Sequence, residues 1–271
     1  MADVYATITD ADPALVAQIA QVLELRAADP QQAAMRRTYL GNIQFPVDAR
    51  VLEIGCGTGA VTRESAGWPG VAEVVGVDPS PTFLASARRH HPPGNVQFVE
   101  GDARSLQFPA RSFDVVVFHT TLSHVPEPEQ ALGQVARVLS PGGWLAVFDG
   151  DYATTSVALS PADPLQACVD AWVSSSVHDP WLVRRLPGLL AAAGLGLVRM
   201  RSYGYVETRE ARYIPTIVDR GAAALVTTGR IGGEAAAALK AEARRRSASG
   251  QFFGHIAYAS LVATLPDRGA A

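Results

Sequence analysis

The 271-residue chain has only two cysteines, Cys56 and Cys168, and they lie far apart. That number and spacing point to neither a disulfide framework nor a cysteine zinc site. No apolar run approaches the ~20 residues needed to cross a bilayer. The opening Met-Ala-Asp-Val-Tyr lacks a basic region followed by an apolar stretch, so no secretion signal and a cytoplasmic location are expected. Positive charge is also scarce. Lysine and arginine total 23 against 26 acidic residues, a formal net charge of −3. A nucleic-acid grip relies on cations that displace counterions from phosphates, so this balance argues against one. The basic cluster Arg244-Arg245-Arg246 ends an alanine-rich helix, where positive charge suits the helix dipole. No internal repeat or disordered linker is evident.

What the chain does hold is apolar: 48% of its residues are hydrophobic, enough for one large α/β domain or a domain plus a small cap. Its most informative stretch is Val51-Leu52-Glu53-Ile54-Gly55-Cys56-Gly57-Thr58-Gly59, a short apolar strand feeding a three-glycine loop. Glycine leaves no Cβ between the backbone and a bound nucleotide and permits φ angles that other residues resist. A strand, such a loop and then a helix make the opening turn of a Rossmann-like fold. A second strand, Val74-Val75-Gly76-Val77-Asp78, ends on an acid nineteen residues after Gly59. A carboxylate there can accept hydrogen bonds from ribose hydroxyls, because strand two lies beside strand one. Val96–Glu100 followed by Gly101-Asp102-Ala103 forms a third strand closing on an acid, and Phe113–His119 a fourth. Leu139–Phe148 reads as a helix end, a Pro141-Gly142-Gly143 turn and a fifth strand.

Around these strands the pattern is helical. Asp12-Pro13 and Asp29-Pro30 are cap-plus-first-turn signals, placing helices over about 13–27 and 30–43. Further helices are expected over 59–67, 80–90, 127–139, 161–178 and 182–194, the last stopped by Gly194. A strand over 196–206 follows, then a helical region over 209–247 broken by glycines. A strand over 255–264 should return antiparallel and fill the sheet edge. The expected fold is α/β: a Rossmann-like, seven-stranded, mostly parallel sheet with helices on both faces and a helical cap. Residues 1–48 would supply cap helices, 49–208 and 248–266 the core, and 209–247 a cap insertion.

Five such pieces in this order resemble the class I S-adenosylmethionine-dependent methyltransferases, especially the ubiquinone/menaquinone-biosynthesis-like small-molecule branch. The resemblance covers roughly residues 49–150. It implies methyl transfer from S-adenosylmethionine to a small organic acceptor, with no metal. It assigns Glu53, Gly55, Gly57 and Gly59 to the methionine portion, Asp78 and Pro79 to the ribose, Asp102 and Ala103 to adenine, and His119 to the cofactor's flank. Tyr5 stands where an N-terminal segment folds over the cofactor; cation–π attraction to a sulfonium and plain packing both explain it. Arg36 can pair with the methionine carboxylate or belong to a solvated helix face.

Proton removal from an acceptor needs a base, and neutral histidine is the natural one near neutral pH. His119, His124 and His178 are the catalytic candidates, with His255, Tyr152 and Asp151 behind them. His124 equally suits a loop anchor, and His178 a solvated loop. Asp149-Gly150-Asp151 invites a metal reading, but further ligands are not identifiable and strand-end turn residues explain it better. The aminomethylating signature Asp/Asn-Pro-Pro-aromatic is absent after strand four, where His119-Thr120-Thr121-Leu122 stands; this weakens adenine or glutamine methylation. Two rival functions share some features. One is a nicotinamide-dependent oxidoreductase, which does not explain Gly101-Asp102-Ala103 and the Pro-Gly-Gly turn together. The other is a cofactor-binding module of the same fold without methyl transfer.

Overall fold

The computed structural model describes residues 3–5 and 7–267. Two helices come first, α1 (Pro13–Ala27) and α2 (Pro30–Leu40). The Asp12 side chain accepts from the amides of Ala14 and Leu15, and Asp29 from those of Gln31 and Gln32, with proline as the first helical residue each time. Then β1 (Ala49–Ile54), α3 (Ala60–Ala66), β2 (Val71–Asp78), α4 (Pro81–Arg89), β3 (Val96–Glu100) and β4 (Phe113–His119) alternate. They are followed by α5 (Pro128–Val138), β5 (Leu139–Ser156), α6 (Leu165–Ser176), α7 (Leu182–Ala192) and β6 (Gly196–Glu207). Last come α8 (Ile214–Thr227), α9 (Gly233–Ser249) and β7 (Gly254–Thr264).

The seven strands form one sheet in the order β3-β2-β1-β4-β5-β7-β6. Strands β1 to β5 pair in parallel, whereas β7 runs antiparallel to both β5 and β6. Side chains alternate between the faces, as a pleated sheet requires. Val51, Val115, Val117, Ala146 and Phe148 meet Tyr39 of α2, Trp172 of α6 and Ile217 of α8 on one face. Leu52, Val116, Leu145 and Val147 meet Leu132 and Val135 of α5 and Leu186 and Leu190 of α7 on the other. A smaller cluster seats Val16 and Ile19 of α1 on Phe83 of α4. Among the described residues, no helix is long and apolar enough to cross a membrane.

Two details differ from the sequence reading. The last strand does not fill the sheet edge; it lies inside, between β5 and β6. Burial explains the placement, since β7 is buried along most of its length while the first half of β6 is exposed, with charged Arg199 and Arg201. Charge protects an edge strand from pairing with other chains. The Asp149-Gly150-Asp151 segment is not a turn at a strand end. It lies within β5, paired with Ala259, Tyr258 and Ala257. The Pro141-Gly142-Gly143 piece, likewise, is an irregularity inside β5, where register shifts between Phe113 and Val115 of the neighbouring strand.

Candidate active site

At the carboxyl ends of the parallel strands lies a cavity of about 220 Å³, lined by the glycine loop, the ends of β2 and β4 and the N-terminal segment. Gly55 has φ +72°, and a Cβ there would overlap Thr121 Cγ2 and stand 2.6 Å from its Oγ1. The Thr121 hydroxyl donates to the Gly55 carbonyl at 3.2 Å, so the loops after β1 and β4 are pressed together. Asp78 closes β2 and is buried. Its Oδ2 accepts from the Gly57 amide at 2.8 Å and its Oδ1 from the Ser80 amide at 2.9 Å. Burial pushes its pKa up to about 6 against those two hydrogen bonds. Glu53 is buried too, holds the Thr62 hydroxyl, and is pushed by burial up to about 8.

Helix α2 adds two polar groups from above. Gln32 is fully buried, and Arg36 Nη1 is buried and, among the described residues, unpartnered. The remaining Arg36 nitrogens bond Glu64 at 2.7 Å and the Ala27 carbonyl at 2.9 Å. A buried donor left unmet costs about 1–3 kcal/mol, so such groups point to a ligand.

Two histidines border the cavity. His119 ends β4, its Nδ1 3.0 Å from the Tyr39 hydroxyl and its ring stacked on Phe148 at 4.8 Å. Burial, then the charges of Arg26 and Arg36, hold it well below the usual histidine range, so it is neutral. His124 follows in a 3-10 turn whose Ser123 amide and hydroxyl both donate to Asp149, at 3.0 and 2.9 Å. Its Nδ1 donates to Asp3 Oδ2 at 2.7 Å, and that oxygen also accepts from the His178 amide at 2.8 Å. With Nδ1 committed to a carboxylate, Nε2 is the nitrogen through which the ring can accept.

Behind this wall lies a second, narrow chamber of about 30 Å³. Tyr5, Tyr152, Trp172 and Tyr213 give it aromatic sides, and Arg26 and Arg220 also face it. Five residues line both spaces: Tyr5, Leu23, Arg26, Thr120 and His124. Thr120 has φ +53°, an uncommon backbone for a β-branched residue, and its hydroxyl accepts from Arg26 Nη2 at 2.6 Å.

Residues 52–147 match a family described as a methyltransferase domain. The match runs from β1 into β5. The chain is 32% identical over 172 residues to methyltransferase str2 of Strobilurus tenacellus, covering 60% of this chain and 61% of that protein. It is 43% identical over 105 residues to the ubiquinone/menaquinone biosynthesis C-methyltransferase UbiE of Ectopseudomonas mendocina, covering 37% and 41%. The chain thus spans less than two thirds of either relative. A Bacillus halodurans protein solved as a methyltransferase shares the fold with a TM-score of 0.63 at 20% identity, over 86% of this chain and 99% of that one.

The fold brings most of the sequence-predicted site residues to the larger cavity. Glu53, Gly55 and Gly57 line it with Asp78 and Pro79, as do Asp102 and Ala103, His119 and His124, and Tyr5. Asp102, however, is gripped by its neighbour Arg104, with the amide at 2.8 Å and the guanidinium at 2.7 Å, which lowers its pKa. Two predicted residues lie outside both cavities. Gly59 is the left-handed residue before α3, and a Cβ there would stand 2.5 Å from the Phe98 ring, so it serves helix–strand packing. His178 has an exposed side chain and offers only its amide, because its loop turns the ring away while the amide is spent on Asp3. Of the reserve candidates, Asp151 is paired with Arg184 at 2.9 Å, and Tyr152 is buried. Among the described residues no His, Cys, Asp and Glu cluster could hold a metal ion. Asp3, Arg26, Gln32 and the role of Thr120 escaped the sequence reading, and Asp149 was read there as a strand-end turn residue; a helix or strand pattern gives no sign of contacts made 94 or 121 residues away.

Proposed function

We propose that this chain transfers a methyl group from S-adenosylmethionine to a small organic acceptor. The observation that carries this reading is the pair of spaces with a common wall: a polar cavity on the glycine loop and an aromatic chamber, meeting at Tyr5, Arg26, Thr120 and His124. The residues of the larger cavity fit the cofactor. Arg36 Nη1 is an unmet donor suited to a carboxylate, and the Glu53 carboxyl lies in the same cavity, where a bound ammonium would draw it toward its charged form. The Asp78 oxygens each accept one backbone amide and keep a lone pair for a ribose hydroxyl.

When bound, S-adenosylmethionine supplies a methyl group already activated on a sulfonium. The chain's own work is then to bind, align and dehydrate. Tyr5, 4.4 Å from His124, closes the top of both spaces. His124, oriented by Asp3, is the general base: its Nε2 takes a proton from the acceptor. His119 is too strongly depressed to be a good base and shapes the cofactor's flank instead. Asp3 and Asp149 are positioning residues that fix the His124 ring and turn. The names of the relatives favour a flat quinone-like or specialised-metabolite acceptor, and a cytoplasmic setting suits such chemistry. The sheet supports a methyltransferase over an oxidoreductase, since an antiparallel seventh strand departs from the all-parallel 3-2-1-4-5-6 order of dinucleotide-binding sheets.

Incubation with donor carrying a deuterated methyl group and small-molecule extracts tests the reading. A protein-dependent labelled product, lost in Asp78→Asn, is expected by mass spectrometry. Tight binding of S-adenosylhomocysteine with no labelled product in any extract would favour the cofactor-binding module.

A further inference from the structure

The aromatic chamber is lined by two arginines and the Trp172 indole, which only donate, and by tyrosine and threonine residues and His124, which can also accept. Arg220 on α8 makes no ion pair or hydrogen bond among the described residues; its Cζ sits 5.9 Å from the ring centres of both Tyr5 and Trp172. Arg26 spends one donor on Thr120 and lies 5.9 Å from the Tyr213 ring, also without an acidic partner. Trp172 is 3% exposed, and its Nε1 has no partner. Guanidinium and indole groups donate and cannot accept. Among the described residues no aspartate or glutamate lines the chamber. The two acids at its rim are committed elsewhere, Asp3 to His124 and the His178 amide, Asp149 to Ser123 and the Gly150 amide. Two cations beside aromatic faces, with unmet donors and no lining acid, are met most strongly by an anionic acceptor group.

We infer that the methyl acceptor is a flat organic anion, an aryl carboxylate, whose carboxylate is held by Arg220 with help from Arg26 and Trp172. This rests on the methyl-transfer reading and adds the acceptor's charge and shape to it. The rings of Tyr152, Trp172 and Tyr213 flank the ligand ring, and Arg220 anchors its far end. Arg220 faces only the second chamber, whereas Thr120 and His124 face both. A carboxylate at Arg220 therefore turns the opposite end of the molecule toward the cofactor side. The chamber as it stands holds about 30 Å³, room for roughly one water, so the ligand displaces a wall. Tyr5 is that wall: it belongs to no helix or strand, and its ring can shift outward over the ligand while its amide stays on Asp3.

Calorimetric titration of the full chain saturated with S-adenosylhomocysteine tests this, using 4-hydroxybenzoate and its neutral analogue 4-hydroxybenzamide as probes. The acid should bind at least about tenfold more tightly than the amide. Arg220→Gln should shrink that preference to roughly threefold or less with S-adenosylhomocysteine affinity unchanged, and Arg220→Lys should keep most of it. Equal binding of acid and amide, no binding of either probe, or an intact preference in Arg220→Gln would each overturn the inference. The first titration separates the two readings. A chain that fails to bind S-adenosylhomocysteine sinks the methyl-transfer reading, whereas a chain that binds it without preferring the acid sinks only the anion.

Discussion

Glu53 and Asp78 are buried acids held only by neutral donors, the Thr62 hydroxyl for one and two backbone amides for the other. Burial disfavours their charged forms, so the folded protein binds their protons more tightly than the unfolded chain does. For Glu53 the change runs from its ordinary 4.5 to about 8. Between those values the native state carries the extra proton, so its stability falls as pH rises through that window, by on the order of a few kcal/mol. Glu53→Gln removes the penalty. In urea unfolding it should gain stability over the parent at pH 8 and little or none at pH 5; an equal gain at both would refute the buried-charge account. Asp78 carries the opposite load for binding. Asp78→Asn loses the charge that strengthens bonds to ribose hydroxyls, each worth roughly 1.5–3 kcal/mol. S-adenosylhomocysteine affinity should drop by about 30-fold or more with the circular dichroism spectrum unchanged. Undiminished affinity would remove Asp78 from the site.

The loops after β1 and β4 act as one element, joined by Thr121 against Gly55. Gly55→Ala meets two costs there. A left-handed alanine costs roughly 1–2 kcal/mol, and overlap with Thr121 a further ~1–3. Adding Thr121→Ala removes the two nearest atoms but leaves its Cβ 2.9 Å away, so it should recover part of the second share and none of the first, a non-additivity that a double-mutant cycle in urea reads directly. Additive losses would show that the loops do not press on each other. This junction marks how far sequence reading reaches. The glycines, the apolar strands and the Asp-Pro caps announce themselves through local pattern, so the parallel sheet and its cofactor loop were legible. Strand β5 was not legible beyond Phe148, since Asp149 and Gly150 are residues that strands usually avoid. They are tolerated because Asp149 finds three donors, two from Ser123 and one from the Gly150 amide. The interior place of β7 was hidden as well, because both flanking strands carry apolar residues and only burial reveals which one is the edge. Nothing in the sequence singles out Arg26 or Arg220; only the fold shows that both face one aromatic chamber.

At the scale of the whole molecule, the N-terminal segment fastens pieces of the chain that are otherwise remote. Asp3 takes a proton donor from His124, 121 residues away, and another from the amide of His178, 175 residues away. Tyr5 then lies over the wall shared by the two spaces, and Ile8 and Thr9 line the larger one. Closure and base orientation therefore depend on the same carboxylate. A ligand filling the cofactor cavity touches this segment and should hold it down. Exchange of the amides of residues 7–11 is expected to slow by about tenfold or more when S-adenosylhomocysteine saturates the protein. The His178 amide reports the clasp itself. In Asp3→Ala that amide loses its acceptor, so its exchange should accelerate by at least about tenfold, and ligand should no longer slow residues 7–11. The transfer rate should fall in step, by roughly 10²-fold or more, since a misplaced base contributes little to proton removal. An unchanged His178 amide would show that the clasp is open in solution. Faster exchange with an undiminished transfer rate would separate the lid from the base and return His124 to the role of a loop anchor.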